Sequence, residues 1–157
     1  MIKLADFIPK LSINEASIHG ALEGWLEPNG ECHYVPDTHA EWIARYFNIK
    51  PPDETDVGSF ENRSMVLKRM LYDKGWVRVV IKHDDNLLYF DTFNISWKQL
   101  TSAQRRWILN ASIYGTKIEG GKISIGDETN FRDPPYKIQF GNSGETISPD
   151  DILERIK

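Results

Sequence analysis

Between Trp76 and Lys82 the chain reads Trp-Val-Arg-Val-Val-Ile-Lys, so Val77, Val79 and Ile81 share one side of an extended segment and Trp76, Arg78, Val80 and Lys82 the other. Leu87 to Phe93 is the next apolar run, and the polar stretch His83-Asp84-Asp85-Asn86 between the two predicts a hairpin. An earlier hairpin is expected where Asn29-Gly30 separates Gly24-Trp25-Leu26-Glu27 from Glu31-Cys32-His33-Tyr34-Val35, because an Asn-Gly pair accepts the positive φ angles of a tight turn. Helical periods lie between and after these segments. From His39 to Asn48 a stripe of Trp42, Ile43, Tyr46 and Phe47 follows a capping box of Thr38 and Glu41. Pro51-Pro52 stops that helix, and the acidic, turn-rich residues after it predict a mobile loop near 51–59. A second helix, Glu61 to Asp73, is expected to turn Met65, Val66 and Met70 inward, with Leu67 at the margin, and to end at a left-handed Gly75.

Thr101 and Gln104 supply another capping box, for a helix that runs to Tyr114, stops at Gly115 and buries Ala103, Trp107, Ile108 and Ala111. Two weaker strands follow, Lys122 to Ile125 and Tyr136 to Phe140, with Gly, Asp, Asn and Pro between them. Ser148-Pro149-Asp150-Asp151 opens a last helix: serine caps it, proline takes the first turn and the acids complement the dipole. Strands and helices do not alternate as in a doubly wound sheet, so the expected class is α+β, a single domain of β-hairpins packed against three to four helices. Its expected core is Trp42, Phe47, Val66, Met70, Val79, Ile81, Trp107 and Ile108.

The chain has 157 residues, of which 40% are hydrophobic and 27% charged, enough to bury a core without disulfide or metal. Its one cysteine, Cys32, forbids an intrachain disulfide and points to a reducing compartment, the cytoplasm. No apolar run reaches the roughly 18 residues of a membrane span. Asp6 and Pro9 interrupt the first ten residues, so no signal segment and no membrane partner are expected. The net charge of -4 argues against a surface that is basic throughout. Yet residues 61–117 hold ten basic and five acidic side chains, a block of +5 that leaves -9 for the two flanks. Such asymmetry is what a basic binding face on an acidic body looks like.

Cys32, His33, His39 and His19 are the soft or borderline ligands in the N-terminal half, but no C-x2-C or H-x3-H spacing joins them, so neither metal nor other cofactor is expected. Strand alternation puts Cys32 and Tyr34 opposite His33, making Cys32 a small buried hydrophobe. Acid-base chemistry would fall to His19, His33 or His39, with Asp37 orienting His33 and Glu41 orienting His39. There is no G-x-S-x-G elbow and no glycine-rich phosphate loop. Gly120-Gly121 and Gly141-Asn142-Ser143-Gly144 read as turns. Trp25 and Trp76, each directly after a glycine at a strand start, are the tryptophans placed to stack on a base.

The stretch Gly24-Trp25-Leu26-Glu27-Pro28-Asn29-Gly30-Glu31-Cys32-His33-Tyr34-Val35, followed by Thr38-His39-Ala40-Glu41-Trp42, resembles a pattern in small uncharacterised bacteriophage proteins. Lys74-Gly75-Trp76-Val77-Arg78-Val79 and Leu100-Thr101-Ser102-Ala103-Gln104-Arg105-Arg106 are similar to the second half of the same proteins. The resemblance spans about residues 20–114 and implies a phage or mobile-element origin; it transfers no catalytic residue.

The expected function is that of a phage-type accessory protein that binds a nucleic acid or a host protein and has no chemistry of its own, working in the host cytoplasm. Trp76, Arg78 and Lys82 are expected to form the binding face, with Lys68, Arg69, Arg105 and Arg106 approaching from flanking helices together with Arg63. A small hydrolase or transferase using His19, His33 or His39 is the first alternative, and a virion component the second.

Overall fold

The protein was analysed as a computed structural model that describes residues 21–35, 40–50, 60–82, 86–90, 95–141 and 143–157; the side chains of residues 21, 40–42 and 60–64 are outside that description. His19, Thr38, His39, His83, the loop 51–59 and the side chains of Trp42 and Arg63 therefore lie outside the described residues.

Among the described residues, four α-helices and eight strands make an α+β fold. In chain order they are β1 (Ala21–Leu26), β2 (Cys32–Tyr34), α1 (Ala40–Tyr46), α2 (Phe60–Asp73), β3 (Val77–Lys82), β4 (Leu87–Phe90), α3 (Ser102–Tyr114), β5 (Thr116–Glu119), β6 (Lys122–Ile125), β7 (Lys137–Phe140), β8 (Thr146–Ile147) and α4 (Pro149–Ile156). A 3₁₀ turn, Trp97–Gln99, precedes α3. All strands join one sheet in the order β5-β6-β2-β1-β3-β4-β7-β8. Every pairing is antiparallel except β4 with β7, which run parallel with Leu88 opposite Ile138.

The two expected hairpins are present as β1 with β2 and β3 with β4. The first is closed differently from a two-residue turn. Gly30 N donates to Glu27 O at 2.9 Å, so Pro28 and Asn29 are the central residues and Gly30, at φ 93°, takes the left-handed position after them. Proline's fixed φ selects this wider turn. The strands Thr116–Glu119 and Thr146–Ile147 were not foreseen: four residues and two carry too little periodicity to register.

Alternation along β1 and β3 divides the sheet into two faces. Leu22, Leu26, Val77, Val79 and Ile81 join Phe90, Phe140, Trp107, Ile108, Ala111 and Ile152, so α3 and α4 cover one face. On the other, Trp25 and Val35 join Ile43 of α1 and Leu71 of α2. The expected core is right at Val79, Ile81, Trp107 and Ile108, which are all buried. It is shifted on α2, where Leu67 and Leu71 are fully buried, Met65 is 58% exposed, and Val66 and Met70 are only half-buried. On α1, Ile43 and Ala44 face inward, Phe47 is half-buried and Tyr46 is 39% exposed. The α3 capping box forms as expected: Thr101 Oγ1 accepts from Gln104 N at 3.1 Å and Gln104 Oε1 from Thr101 N at 3.0 Å.

Cys32 is buried on the α3 face, where desolvation holds its thiol far above the ordinary range. We expect no reaction with a disulfide reagent in the native protein and one thiol per chain after unfolding in urea. Native labelling within minutes would place Cys32 at the surface.

Candidate functional site

His33 projects from β2 to the face opposite Cys32, as alternation requires, and is 5% exposed. Its Nε2 lies 3.0 Å from Glu27 Oε2 and 3.8 Å from Glu31 Oε2. The orienting carboxylate is thus Glu27, across the hairpin; Asp37 lies outside the described residues. The rings of Tyr46 and Phe47 meet the imidazole edge-on at 5.4 and 4.7 Å. Glu27, Glu31 and His33 bring donor atoms within 4.8 Å of one another, the geometry of a cation site. The hydrogen bonding weighs against that use. An ionised carboxylate only accepts, so Nε2 carries the imidazole proton; a cation on Nε2 would drive that proton to Nδ1, which is buried and has no hydrogen-bond partner. Cys32, on the other face of the sheet, cannot join His33 on one ion. As an acid-base group His33 is screened by the same rings and carboxylate; His19 and His39 lie outside the described residues.

The expected binding residues are divided between sites. Arg78 and Lys82 do share a face of β3, but Arg78 Nη2 faces Glu23 Oε1 at 3.5 Å, and Lys82 Nζ lies 5.5 Å from the centre of the Tyr89 ring. Trp76 precedes the strand and packs against Phe47 with ring centroids 3.9 Å apart. Trp25 is wholly buried, so it does not offer a face to a base. Lys68 and Arg69 ride on α2, on the same side of the sheet as these groups, whereas Arg105 and Arg106 belong to α3 on the opposite face.

Arg105 and Arg106 meet a partner that sequence reasoning missed. Ser102, Arg105, Arg106, Leu109 and Asn110 recur at i, i+3, i+4, i+7 and i+8, one stripe of α3, and face Arg155 and Ile156 of α4 across a cleft of about 520 Å³. Trp97 forms its floor. The Arg155 guanidinium lies 5.3 Å from the centre of that ring, and Glu145 Oε2 accepts from Trp97 N at 3.1 Å, which fixes the 3₁₀ turn against β8. α4 is aimed at the cleft by its cap, Ser148 Oγ accepting from Asp151 N at 3.3 Å, and by Ile152, which anchors it in the core. Among the described residues none of the three arginines makes an ion pair, and Arg105 Nε is buried without a hydrogen-bond partner. Arg105 is half-buried, and a half-buried guanidinium with an unused donor is costly unless an anion meets it; Arg106 and Arg155 are exposed beside it.

A smaller cavity of about 320 Å³ lies beside it, where the end of α2 (Arg69, Tyr72, Asp73) meets Gln99, Thr101 and Gln104. The two cavities flank one structural knot. Gln104 Nε2 donates to Leu26 O at 3.2 Å and Gly75 O at 2.8 Å, and Thr101 Oγ1 donates to Pro28 O at 2.6 Å, tying the α3 N-terminus to the first hairpin and to the α2–β3 junction. Among the described residues no helix is long and apolar enough to cross a membrane. No protein-family model, no curated protein and no solved structure matches this chain.

Proposed function

We propose that the chain is a phage-type accessory protein that binds single-stranded nucleic acid in the cleft between α3 and α4, without chemistry of its own. The observation that carries this reading is the convergence of three arginines without ion-pair partners, Arg105, Arg106 and Arg155, on one cleft. Their planar forks match phosphate oxygens. Ser102 and Asn110 add neutral donors, and Leu109 with Ile156 gives an apolar wall for a base. The apolar wall beside the arginines suits an unstacked base, which favours a single strand over a duplex whose bases are paired and stacked. The bacteriophage resemblance supports the accessory role, and with it a place in the host cytoplasm.

If three phosphates are neutralised, the affinity for a single strand should fall with salt at a log-log slope of roughly -2. Arg106→Glu with Arg155→Glu should weaken binding by about one to two orders of magnitude and reduce the slope to roughly -0.7, leaving stability nearly unchanged because both side chains are exposed. Fluorescence anisotropy with labelled oligonucleotides across a salt series measures both. Absence of binding at about 50 mM salt overturns the reading and leaves an acidic host protein as the better occupant of the cleft.

A further inference from the structure

The smaller cavity has its own chemistry, and its polar lining falls into two groups. Gln104 and Thr101 are spent: the amide and hydroxyl of this pair satisfy Leu26 O, Gly75 O, Pro28 O and each other's backbone. Gln99 uses its carbonyl oxygen to accept from Ser96 N at 2.6 Å, and its amide nitrogen has no partner among the described residues. Arg69 and Asp73 are likewise unspent. They stand at i and i+4 on one helix, the spacing at which opposite charges ordinarily pair, and yet no ion pair joins them. Asp73 is also the last residue of α2, where the carbonyl end of the helix dipole repels an acid, and the last turn holds no basic residue to offset it. Helix stability does not account for a carboxylate in that place. A donor-acceptor set of carboxylate, guanidinium and amide, set around the half-buried ring of Tyr72, is what the edge of a nucleobase requires. The volume, about 320 Å³, is at the small end of ligand cavities.

We infer that this cavity is a nucleobase pocket that selects a base bearing an exocyclic amine, such as cytosine, over thymine. The inference rests on the proposed nucleic-acid function. Thr101 lines this pocket and Ser102 the arginine cleft, so a strand whose phosphates lie on Arg105 and Arg106 places a neighbouring base at Asp73 by crossing the first turn of α3. Asp73 accepts from the exocyclic amine, and the Gln99 amide and Arg69 donate to the ring nitrogen and carbonyl. Thymine offers a carbonyl where cytosine offers the amine, and that carbonyl would oppose the Asp73 carboxylate.

The experiment compares labelled oligo-dC and oligo-dT of about 12 nucleotides by anisotropy at about 50 mM salt. Wild-type protein should prefer oligo-dC by about tenfold, the worth of one hydrogen bond to a charged group. Asp73→Ala removes the acceptor of the cytosine amine and the carboxylate that opposes the thymine carbonyl, so oligo-dC should bind more weakly and oligo-dT no more weakly, and the preference should collapse to within about twofold. Losing an acid from the end of α2 does not endanger folding. Equal affinity of wild type for the two oligomers, or an unchanged ratio in Asp73→Ala, overturns the base pocket. The Arg106→Glu, Arg155→Glu variant separates the two readings: it should lower both affinities by the same factor and keep the ratio. If it lowers neither while the ratio still depends on Asp73, the arginine cleft fails and the base pocket stands. Should no oligonucleotide bind, free cytidine and thymidine are titrated against the amide resonances of Gly75 and Thr101. A response to cytidine alone supports the pocket, and no response overturns it.

Discussion

Trp25→Ala should destabilise the protein by about 3 to 5 kcal/mol, the range for truncating a buried large aromatic. Trp25 heads the fully buried side chains, its ring lies 5.5 Å from that of Tyr72, and it fills the space where Val35, Ile43 and Leu71 meet under α1 and α2. Removing it opens a cavity between the sheet and both helices, at the centre of the cluster that Ile43, Leu71, Phe47, Tyr72 and Trp76 complete. Trp25→Phe is the informative control. The indole Nε1 is buried without a hydrogen-bond partner, so phenylalanine loses volume but also discards an unsatisfied donor, and its cost should stay below about 1.5 kcal/mol. Urea unfolding of the two variants reads the difference, and a loss under about 1 kcal/mol for alanine would show that the second cluster contributes little to the fold.

Gln104→Ala should cost about 3 kcal/mol, because Leu26 O, Gly75 O and Thr101 N all lose a partner inside a site that is 1% exposed. Gln104→Glu should be worse at neutral pH, although it keeps the acceptor for Thr101 N. It exchanges the amide donors for a carboxylate facing two carbonyl oxygens, which disfavours the charged form and raises the pKa of the introduced acid in the folded state. A group whose folded pKa is raised stabilises below its unfolded value and loses that contribution as pH rises through the folded one. The thermal stability of Gln104→Glu should therefore recover on acidification relative to that of Gln104→Ala. A parallel pH dependence of the two variants would show that the Gln104 amide does not hold the knot.

Where the amino-acid pattern was legible, a local rule had one solution. Thr101 and Gln104, Ser148 and Pro149, and the valines of β3 each announce a cap or a face without competitors. On α2 the rule has two solutions, since Val66 with Met70 and Leu67 with Leu71 are both i, i+4 pairs, about 100° apart around the helix. The sheet chose the branched leucines, and nothing local could have. The orienting carboxylate of His33 was within reach of the sequence. Once Pro28 is allowed to widen the turn, Glu27 and Glu31 flank the hairpin mouth, whereas a search along the chain ahead leads to Asp37. The arginine cleft was half legible: Arg105 and Arg106 stood out as basic, but Arg155 lies some 50 residues downstream on another helix. Trp97, in a 3₁₀ turn of three residues, belongs to no periodic segment. The parallel pairing of β4 with β7 has no sequence signature at all.

That pairing bears on how the chain reaches its native state. β1 with β2, β3 with β4, β5 with β6 and β7 with β8 are neighbours in sequence, and each can close over a short turn. The four ribbons are then joined by β1 to β3, β2 to β6 and β4 to β7, the last closing a separation of 50 residues between Leu88 and Ile138. Loop-closure entropy falls on these joins before burial of Phe90 against Phe140 can repay it. Folding should accordingly be limited by docking of preformed ribbons, the widest closure being β2 to β6, 89 residues between His33 and Lys122. The arginine cleft, which needs α4 in place, takes shape only once β7 has docked on β4.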